Sequence, residues 1–343
     1  PLASERWLRA HDVRLVATRA LALDPAARTV ALADGRELGY AGGHCLLATG
    51  AEPARLPLQG ADDPRVRVLR TLAQLRLLVQ RLRPEAPVAV IGSGFIGCEA
   101  AVSLRRRGHP VTLLSAEPAP QAARLGEEVA ARLSTWLALE GVELRAGAEI
   151  DAIEHEAGAP DDAPSPAPGA AVVRAGDAAV RAELVVMAVG VRPRIELARA
   201  AGIALADDGG AIATDAAMRT GHAGVLAAGD AARAQHALAG RPLRVEHWGD
   251  ALTQGAVAGR TAAGAQARWD EVPGFWSTIG ERTLKHAAWG DGHARVRVED
   301  HPGGGFTAWY GDEDGRLVGV LAHDADDDYE RGRTLIAQGA SAP

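Results

Sequence analysis

Cysteine, lysine and long apolar runs are all scarce in this sequence of 343 residues. Its two cysteines, Cys45 and Cys98, form no closely spaced pair, which argues against a disulfide framework and against a zinc site built from four thiolates. Lys285 is the only lysine, so arginine carries almost all of the positive charge. No apolar stretch approaches the roughly 20 residues that cross a bilayer, and no signal-peptide pattern is visible. We therefore expect a protein of the reducing cytoplasm.

A basic arm or stripe is also missing from the sequence. The net charge at pH 7 is −7, and this sign disfavours general binding to nucleic acids. The length is sufficient for two or three domains, each with an ample core. Composition alone therefore predicts a globular protein whose partners are neither nucleic acids nor membranes.

One stretch carries a phosphate-binding pattern. Residues 88–91 form a short apolar run that is typical of a strand buried on both faces. Gly92, Gly94 and Gly97 follow it in G-x-G-x-x-G spacing. In this pattern the first glycine permits a tight turn, the second lets the backbone approach a pyrophosphate, and the third lets a helix pack closely on the strand.

The context of these glycines favours a nucleotide site over a merely structural turn. The sequence predicts a helix over 98–107 that ends at Gly108, and a second strand over 111–114. Together they complete a βαβ unit of roughly 30 residues, as a dinucleotide site requires. Free amide N–H groups and the positive end of the helix dipole then face the phosphates. We predict a nicotinamide-dinucleotide site here.

Periodicity elsewhere predicts further α/β structure followed by an antiparallel C-terminal region. The predicted strands cover 13–16, 29–32, 44–48, 143–145, 184–189, 224–230, 295–299, 306–310 and 317–321, and the predicted helices cover 72–82, 126–139, 251–263 and 329–337. The segment 157–170 is rich in proline, alanine and aspartate, and it is predicted to be a mobile surface loop between two hairpin strands.

Five separated segments recur in an order that is more specific than any single motif. They are LLATG at 46–50, VIGSGFIGCEAA at 90–101, TGHAGVLAAGDA at 220–231, EHW at 246–248 with Ala251, Gln254 and Gly255, and VPGFWS at 272–277. Together they resemble the FAD-dependent pyridine-nucleotide oxidoreductases, specifically the ferredoxin reductases of ring-hydroxylating dioxygenase and cytochrome P-450 systems. The resemblance extends over nearly the whole chain.

The resemblance implies an α/β fold with tandem Rossmann-like domains and a C-terminal α+β domain, as in glutathione reductase. It assigns 1–84 and 209–267 to an FAD-binding domain, 85–208 to an NAD(P)-binding domain and 268–343 to the C-terminal domain. The implied enzyme passes hydride from NAD(P)H to FAD, and then electrons to a small iron–sulfur protein such as a ferredoxin. A monomer or a homodimer is expected.

The resemblance also implies site residues. Glu99 takes the catalytic position at the nicotinamide or flavin edge, Asp230 holds the ribityl chain, and Trp248 shields the flavin. The implied cofactor-binding residues are Ala48, Thr49, Gly50, Arg70, Gly92, Gly94, Phe95, Ile96, Gly97, Ser115, Glu117, Gly190, Gly229, Asp230, Glu246 and Trp248, and no metal ligand is implied. The residues alone also allow structural roles: a solvated helical carboxylate for Glu99, a helix N-cap for Asp230 and core packing for Trp248.

The sequence departs from the family pattern at three points. The family opens with its own strand and glycine-rich turn for FAD, and none is seen at the start of this sequence. We expect a fragment of a longer chain, with weak or absent FAD binding as the alternative. The family's lysine beside the flavin is replaced by Ser4 or Glu5. The acid expected at the end of the second strand is Ser115, with Glu117 two residues on; this slightly favours NADH and leaves NADPH open.

Other functional classes fit the sequence less well. A disulfide reductase needs a redox-active cysteine pair, which is missing. An NADH oxidase or peroxidase needs one reactive cysteine at the flavin, and Cys45 stands in the strand before the LLATG turn instead. The remaining alternative is a flavin-free protein that binds NAD(H) in a sensor or structural role.

Overall fold

The computed structural model describes residues 3–156 and 169–343. The α-helices among these residues are α1 Glu5–Ala10, α2 Leu72–Arg81, α3 Phe95–Arg106, α4 Ala122–Leu125, α5 Glu127–Leu139, α6 Glu196–Ala200, α7 Trp248–Ala262 and α8 Asp326–Gln338. Short 3₁₀ turns cover Gly229–Ala231 and Pro302–Gly304. None of the helices in these two ranges is long and apolar enough to cross a membrane.

The strands lie between these helices, often several in succession. They are β1 Ala20–Asp24, β2 Thr29–Leu32, β3 Glu37–Gly39, β4 Cys45–Leu47, β5 Ala51–Pro53, β6 Val66–Arg67, β7 Val88–Ile91, β8 Val111–Leu114, β9 Glu143–Arg145, β10 Ala152–Glu156, β11 Ala170–Ala175, β12 Ala178–Ala182, β13 Leu184–Met187, β14 Val191–Pro193, β15 Ile212–Thr214, β16 Val225–Ala227, β17 Ala232–Gln235, β18 Pro242–Arg244, β19 Gly274–Ile279, β20 Arg282–Ala288, β21 Arg295–Asp300, β22 Phe306–Gly311 and β23 Leu317–His323.

The chain forms two compact units. The first unit comprises Pro1–Gly50, Pro193–Glu246 and Ala251–Trp269, and the second comprises Ala51–Arg192, His247–Asp250 and Asp270–Pro343. The segments predicted as an NAD(P)-binding domain and as a C-terminal domain thus fall mostly in the second unit. The division into three domains stays a prediction.

The first unit contains an antiparallel meander β1-β2-β3, a parallel pair of β4 with β16, and a sheet in the order β15-β17-β18. Its core includes Leu47, Ile212 and Val225. The strand predicted over 13–16 was wrong, because the meander begins only at Ala20. Leu15 is 76% exposed, so the alternating pattern of that segment has no buried face to stabilise a strand.

The second unit contains a five-stranded parallel sheet in the order β6-β13-β7-β8-β9. Strands β7 and β8 have the predicted bounds, and every residue of β7 is buried. Helix α3 begins at Phe95, three residues earlier than predicted, because Gly94 serves as its N-cap. Three residues, 92–94, therefore separate the carboxyl end of β7 from the first residue of α3.

The second unit also holds two antiparallel sheets. Strands β10, β11 and β12 form a small one, and β19-β20-β23-β22-β21 form a larger one covered by α8. The larger sheet shares a core with the parallel sheet, in which Val90 and Leu113 belong with Phe306 and Leu321. Strands β10 and β11 pair as the predicted hairpin; of the predicted loop between them, residues 157–168 lie outside the described residues.

Candidate functional site

The glycine-rich loop, residues 92–97, has the geometry that its spacing predicts. Gly92 has a φ of +101°, and a Cβ there would collide with the Ala188 carbonyl oxygen. A Cβ on Gly97 would collide with the Gly92 carbonyl oxygen, so α3 packs on the loop only because Gly97 has no side chain. A Cβ on Gly94 would meet nothing within 4 Å. Gly94 thus borders open space, as the approach of a pyrophosphate requires.

The amino end of α3 has no side-chain cap. Gly94 supplies no capping hydrogen bond, so the first N–H groups of this twelve-residue helix are available to an anion. Ile96 is 49% exposed beside them. The loop and helix therefore fit the phosphates of a dinucleotide, both sterically and electrostatically.

The other predicted residues of the second unit lie at the carboxyl ends of neighbouring parallel strands. Arg70 follows β6, Gly190 follows β13, and Ser115 follows β8. Gly190 has a φ of +100°, and its carbonyl accepts the Ala54 N–H at 2.8 Å. The Arg70 N–H donates to Gln74 Oε1 at 2.8 Å ahead of α2. Because parallel strands end at one edge of a sheet, these residues share the edge at which such folds bind ligands.

Ser115 and Glu117 build the loop after β8. Ser115 is fully buried; its hydroxyl donates to the Glu117 carbonyl oxygen at 3.0 Å and lies 2.7 Å from the Ser93 hydroxyl. The half-buried Glu117 carboxylate accepts the Ala123 N–H through Oε2 at 2.8 Å. Ser115 thus ties its loop to the glycine-rich loop, and Glu117 is the carboxylate at the strand end. A contact of either residue with a coenzyme stays a prediction.

Glu99 lies on the second turn of α3 and contacts the antiparallel sheet. Its Oε1 accepts the Ser277 hydroxyl at 2.5 Å and the Thr278 N–H at 3.1 Å. The side chain is half-buried, so it is not the solvated helical carboxylate of the structural alternative. Sequence patterns gave no indication of this pairing, because Ser277 and Thr278 lie 178 and 179 positions after Glu99 in the chain.

Aromatic rings close one side of the amino end of α3. Phe95 packs edge-on against Phe275 on β19, with ring centroids 4.8 Å apart. The Arg124 guanidinium carbon lies 5.9 Å from the centroid of the first ring and 5.4 Å from that of the second. Arg124 is thus a positive side chain beside these two rings that the sequence did not assign to the site.

The first unit brings together two site segments that are far apart in sequence. Strands β4 and β16 pair in parallel, so residues 48–50 and 228–230 follow their carboxyl ends, and the Ala228 N–H donates to the Leu47 carbonyl at 3.1 Å. The Thr49 hydroxyl donates to the Arg194 carbonyl at 2.6 Å, and Gly50 has a φ of +67°. Ala48 is exposed beside them.

The turn at Gly229 and Asp230 is stabilised by a hydrogen bond to a side chain of α7. Gly229 has a φ of +74°, and its N–H donates to Oε1 of the fully buried Gln254 at 2.8 Å. Gln254 Nε2 has no hydrogen-bond partner among the described residues. Asp230 is 8% exposed in a three-residue 3₁₀ turn that leads into β17, so it caps no α-helix. A carboxylate at a strand end beside a glycine fits the hydroxyls of a flavin's ribityl chain.

The last two predicted residues stand before and at the start of α7. Glu246 is exposed in the first unit, 3.5 Å from Arg244. Trp248 is 59% exposed in the second unit, so core packing does not describe it, and it lies edge-on to Trp276 with centroids 6.0 Å apart. Among residues 3–156 and 169–343, no group of three or more potential ligands could hold a metal.

Comparisons with known proteins agree with this geometry. A family model described as pyridine nucleotide-disulphide oxidoreductase matches residues 7–255. The ferredoxin–NAD(+) reductase component of the anthranilate 1,2-dioxygenase system from Burkholderia cepacia is 34% identical over 338 residues, covering 97% of this chain and 79% of that protein.

Two solved structures resemble the chain over almost its full length. The ferredoxin reductase for the CYP199A2 system from Rhodopseudomonas palustris matches with a TM-score of 0.88 and 28% identity, covering 99% of this chain and 80% of that chain. The covalent complex of putidaredoxin reductase with putidaredoxin matches with a TM-score of 0.86 and 26% identity, covering 98% of this chain and 79% of that chain. This chain belongs to the pyridine nucleotide-disulphide oxidoreductase family.

Proposed function

We propose that this protein is an FAD-dependent NAD(P)H reductase that delivers electrons to a small iron–sulfur protein such as a ferredoxin. The observation that carries the proposal is the 34% identity with a ferredoxin–NAD(+) reductase component over 97% of the chain. Each unit supports it independently with a nucleotide cradle at the carboxyl ends of parallel strands. Bound FAD supplies the step from two-electron hydride chemistry to single-electron transfer.

The first unit provides the FAD contacts in this proposal. Asp230 accepts hydrogen bonds from ribityl hydroxyls, and Gly229 leaves room for the chain. Thr49 and Gly50 form the facing turn, whose conformation is set by the hydrogen bond from the Thr49 hydroxyl to the Arg194 carbonyl. Trp248 belongs to the second unit; its assignment to the flavin rests on the resemblance alone, and its 59% exposure is compatible with contact to a planar ring.

The second unit provides the nicotinamide coenzyme contacts. The α3 N–H groups and Gly94 take the pyrophosphate, and Glu99 accepts hydrogen bonds from the nicotinamide end. We keep NADH as the favoured coenzyme, because Glu117 is the carboxylate at the end of β8 and would repel a 2′-phosphate. No side chain is assigned as a nucleophile or general base.

The cysteines support an iron–sulfur acceptor over a disulfide substrate. Both are free thiols. Burial, assisted by the neighbouring Glu99 charge, raises the pKa of Cys98 to about 12. Burial also raises the pKa of Cys45. Neither thiol is a reactive thiolate near neutral pH, so dithiol exchange has no starting nucleophile.

Two further expectations remain part of the proposal. Free thiols are typical of a reducing compartment, so we propose a cytoplasmic location, which fractionation of the source cells tests. A monomer or homodimer is expected, and size-exclusion chromatography with light scattering distinguishes the two.

The decisive experiment is anaerobic titration of the purified protein, supplied with FAD, with NADH. We expect flavin absorbance that bleaches on addition of NADH and returns when an oxidised [2Fe–2S] ferredoxin is added. A colourless protein that still binds NAD⁺ would favour the flavin-free sensor. A flavoprotein that NADH leaves oxidised would contradict the reductase assignment altogether.

A further inference from the structure

Ser277 is a buried hydroxyl whose hydrogen bond goes to the Glu99 carboxylate. It is 2% exposed in the middle of β19, and it donates to Oε1 at 2.5 Å. Hydrogen bonds from a hydroxyl to a carboxylate are short and about twice as strong as neutral ones. A polar group buried this deeply would destabilise the strand unless such a partner were present.

The surroundings of Ser277 keep this hydrogen bond in place. Among the strands of the described residues, β19 is an edge strand that pairs with β20 alone. Residues alternate along it, so Trp276 and Thr278 are exposed while Ser277 is buried. The Thr278 hydroxyl lies 3.0 Å from the Thr283 hydroxyl across the pair, on the face of the strand opposite to Ser277.

The Thr278 N–H adds a second donor on the free edge of this strand. It reaches the same Glu99 oxygen at 3.1 Å. Edge strands leave such N–H groups without a ladder partner, and here the Glu99 carboxylate supplies one. Both hydrogen bonds recorded for this carboxylate in the described part of the chain end on Oε1. Oε2 therefore accepts no hydrogen bond from the described residues.

We propose that Ser277 is a positioning residue for the nicotinamide coenzyme and acts through Glu99. It fixes the carboxylate so that Oε2 accepts a carboxamide N–H or a ribose hydroxyl of the coenzyme. A glutamate without such a partner would lose rotamer entropy when the coenzyme binds. In this protein the hydrogen bond from Ser277 already fixes the Glu99 rotamer, so coenzyme binding does not carry that entropic cost. The inference rests on the proposed function, because it takes Glu99 to face the coenzyme.

Calorimetric titration of the full chain with NAD⁺ tests the inference without any turnover. We expect Ser277→Ala to weaken NAD⁺ binding by roughly tenfold or more, as the loss of a hydrogen bond to a charged group does. Ser277→Thr and Ser277→Val form a matched pair of nearly equal shape. Only the threonine keeps the hydroxyl, so it should restore most of the affinity while the valine should not.

A control variant and a double-mutant cycle distinguish a positioning role of Ser277 from general damage to the fold. Thr283→Ala removes a hydroxyl from the same hairpin without touching Glu99, so NAD⁺ affinity should stay at the wild-type value. Combining Ser277→Ala with Glu99→Ala should cost little more affinity than Glu99→Ala alone, because Ser277 acts only through the Glu99 carboxylate. Full additivity of the two losses would overturn the proposal, and so would equal affinities of the threonine and valine variants.

Stopped-flow reduction of the FAD-loaded protein gives the second readout. We expect Ser277→Ala to lower the rate of flavin reduction at saturating NADH as well as the apparent affinity, since a mobile Glu99 misorients the nicotinamide. If the flavin of Glu99→Gln is reduced slowly while that of Ser277→Ala is reduced at the wild-type rate, only the role of Ser277 is overturned. A wild-type protein that binds NAD⁺ but transfers no hydride would reject the reductase function, while the calorimetric test of Ser277 would still stand.

Discussion

Gln254 holds the backbone of Gly229, with Oε1 accepting the glycine N–H at 2.8 Å. The glutamine is fully buried on α7, and the glycine has a φ of +74° in the turn before Asp230. The shape of the proposed FAD turn thus depends on a residue in another element of the same unit.

Replacing Gln254 with leucine should therefore release flavin. The change leaves the Gly229 N–H buried without an acceptor, which costs about 1–3 kcal/mol. We expect a lower ratio of FAD to protein after gel filtration, and a lower melting temperature. Thr261→Ala is the matched control, because it removes another buried α7 hydrogen bond, from the Thr261 hydroxyl to the Ala217 carbonyl at 2.9 Å. That control should lower the melting temperature and leave the flavin content unchanged.

Asp230→Asn should weaken FAD binding by roughly tenfold or more, since a charged acceptor becomes a neutral one. The side chains have similar shapes, so the fold should remain. Fluorescence titration of the apoprotein with FAD measures the dissociation constant. Unchanged affinity would remove Asp230 from the site.

Gly94→Ala should lower the affinity for the coenzyme, whereas Gly97→Ala should lower the stability of the fold. A methyl group on Gly94 points into open space, and its φ of −64° suits any residue. We expect a stable protein whose affinity for NAD⁺ falls about tenfold, because the pyrophosphate can no longer approach the backbone. A methyl group on Gly97 collides with the Gly92 carbonyl oxygen, which should cost about 1–3 kcal/mol of stability. Urea unfolding measures the stability of each variant, and calorimetric titration measures its affinity for NAD⁺. Equal stabilities of Gly94→Ala and Gly97→Ala would refute the packing argument.

Glu117→Ala should shift coenzyme preference towards NADPH. Removing the carboxylate relieves its repulsion of a 2′-phosphate, while it also deletes the acceptor for the Ala123 N–H at the start of α4. Glu117→Gln keeps that acceptor without the charge and is the cleaner variant. The ratio of kcat/KM for NADH to that for NADPH should fall in both variants. An unchanged ratio would show that Glu117 does not face the ribose.

His286 makes the stability of the second unit depend on pH. Burial, together with the nearby positive charge of Arg124, lowers its pKa to about 3 from the ordinary 6.5. The unfolded chain therefore binds a proton that the folded chain excludes, and stability falls as the pH drops from about 6.5 towards 3. The slope approaches ~1.4 kcal/mol per pH unit for one such group.

The measurement for His286 is the free energy of unfolding in urea at pH 7 and pH 5. The wild type should lose stability on acidification, and His286→Asn, which cannot take up the proton, should lose less. Equal losses in the two proteins would assign the acid sensitivity to other groups.

Local sequence determined much of this fold. Strands β7 and β8 have the predicted bounds, because a continuous apolar run can be stable only when both of its faces are buried. The steric requirement for glycine at 92 and 97 was also predictable, since each depends on backbone within a few residues or on one adjacent strand. The sequence does not space its two cysteines as a close pair, and both are free in the structure.

Tertiary structure decided what the functional side chains contact. The sequence offered Glu99 either a solvated or a catalytic role, and only the packing of β19 on α3 joined it to Ser277. The parallel pairing of β4 with β16 and the support of Gly229 by Gln254 were equally invisible. The strand predicted at 13–16 was wrong for the converse reason, because its pattern found no surface to bury it. Propensity and spacing act over a few residues, whereas these contacts join segments that only the folded chain brings together.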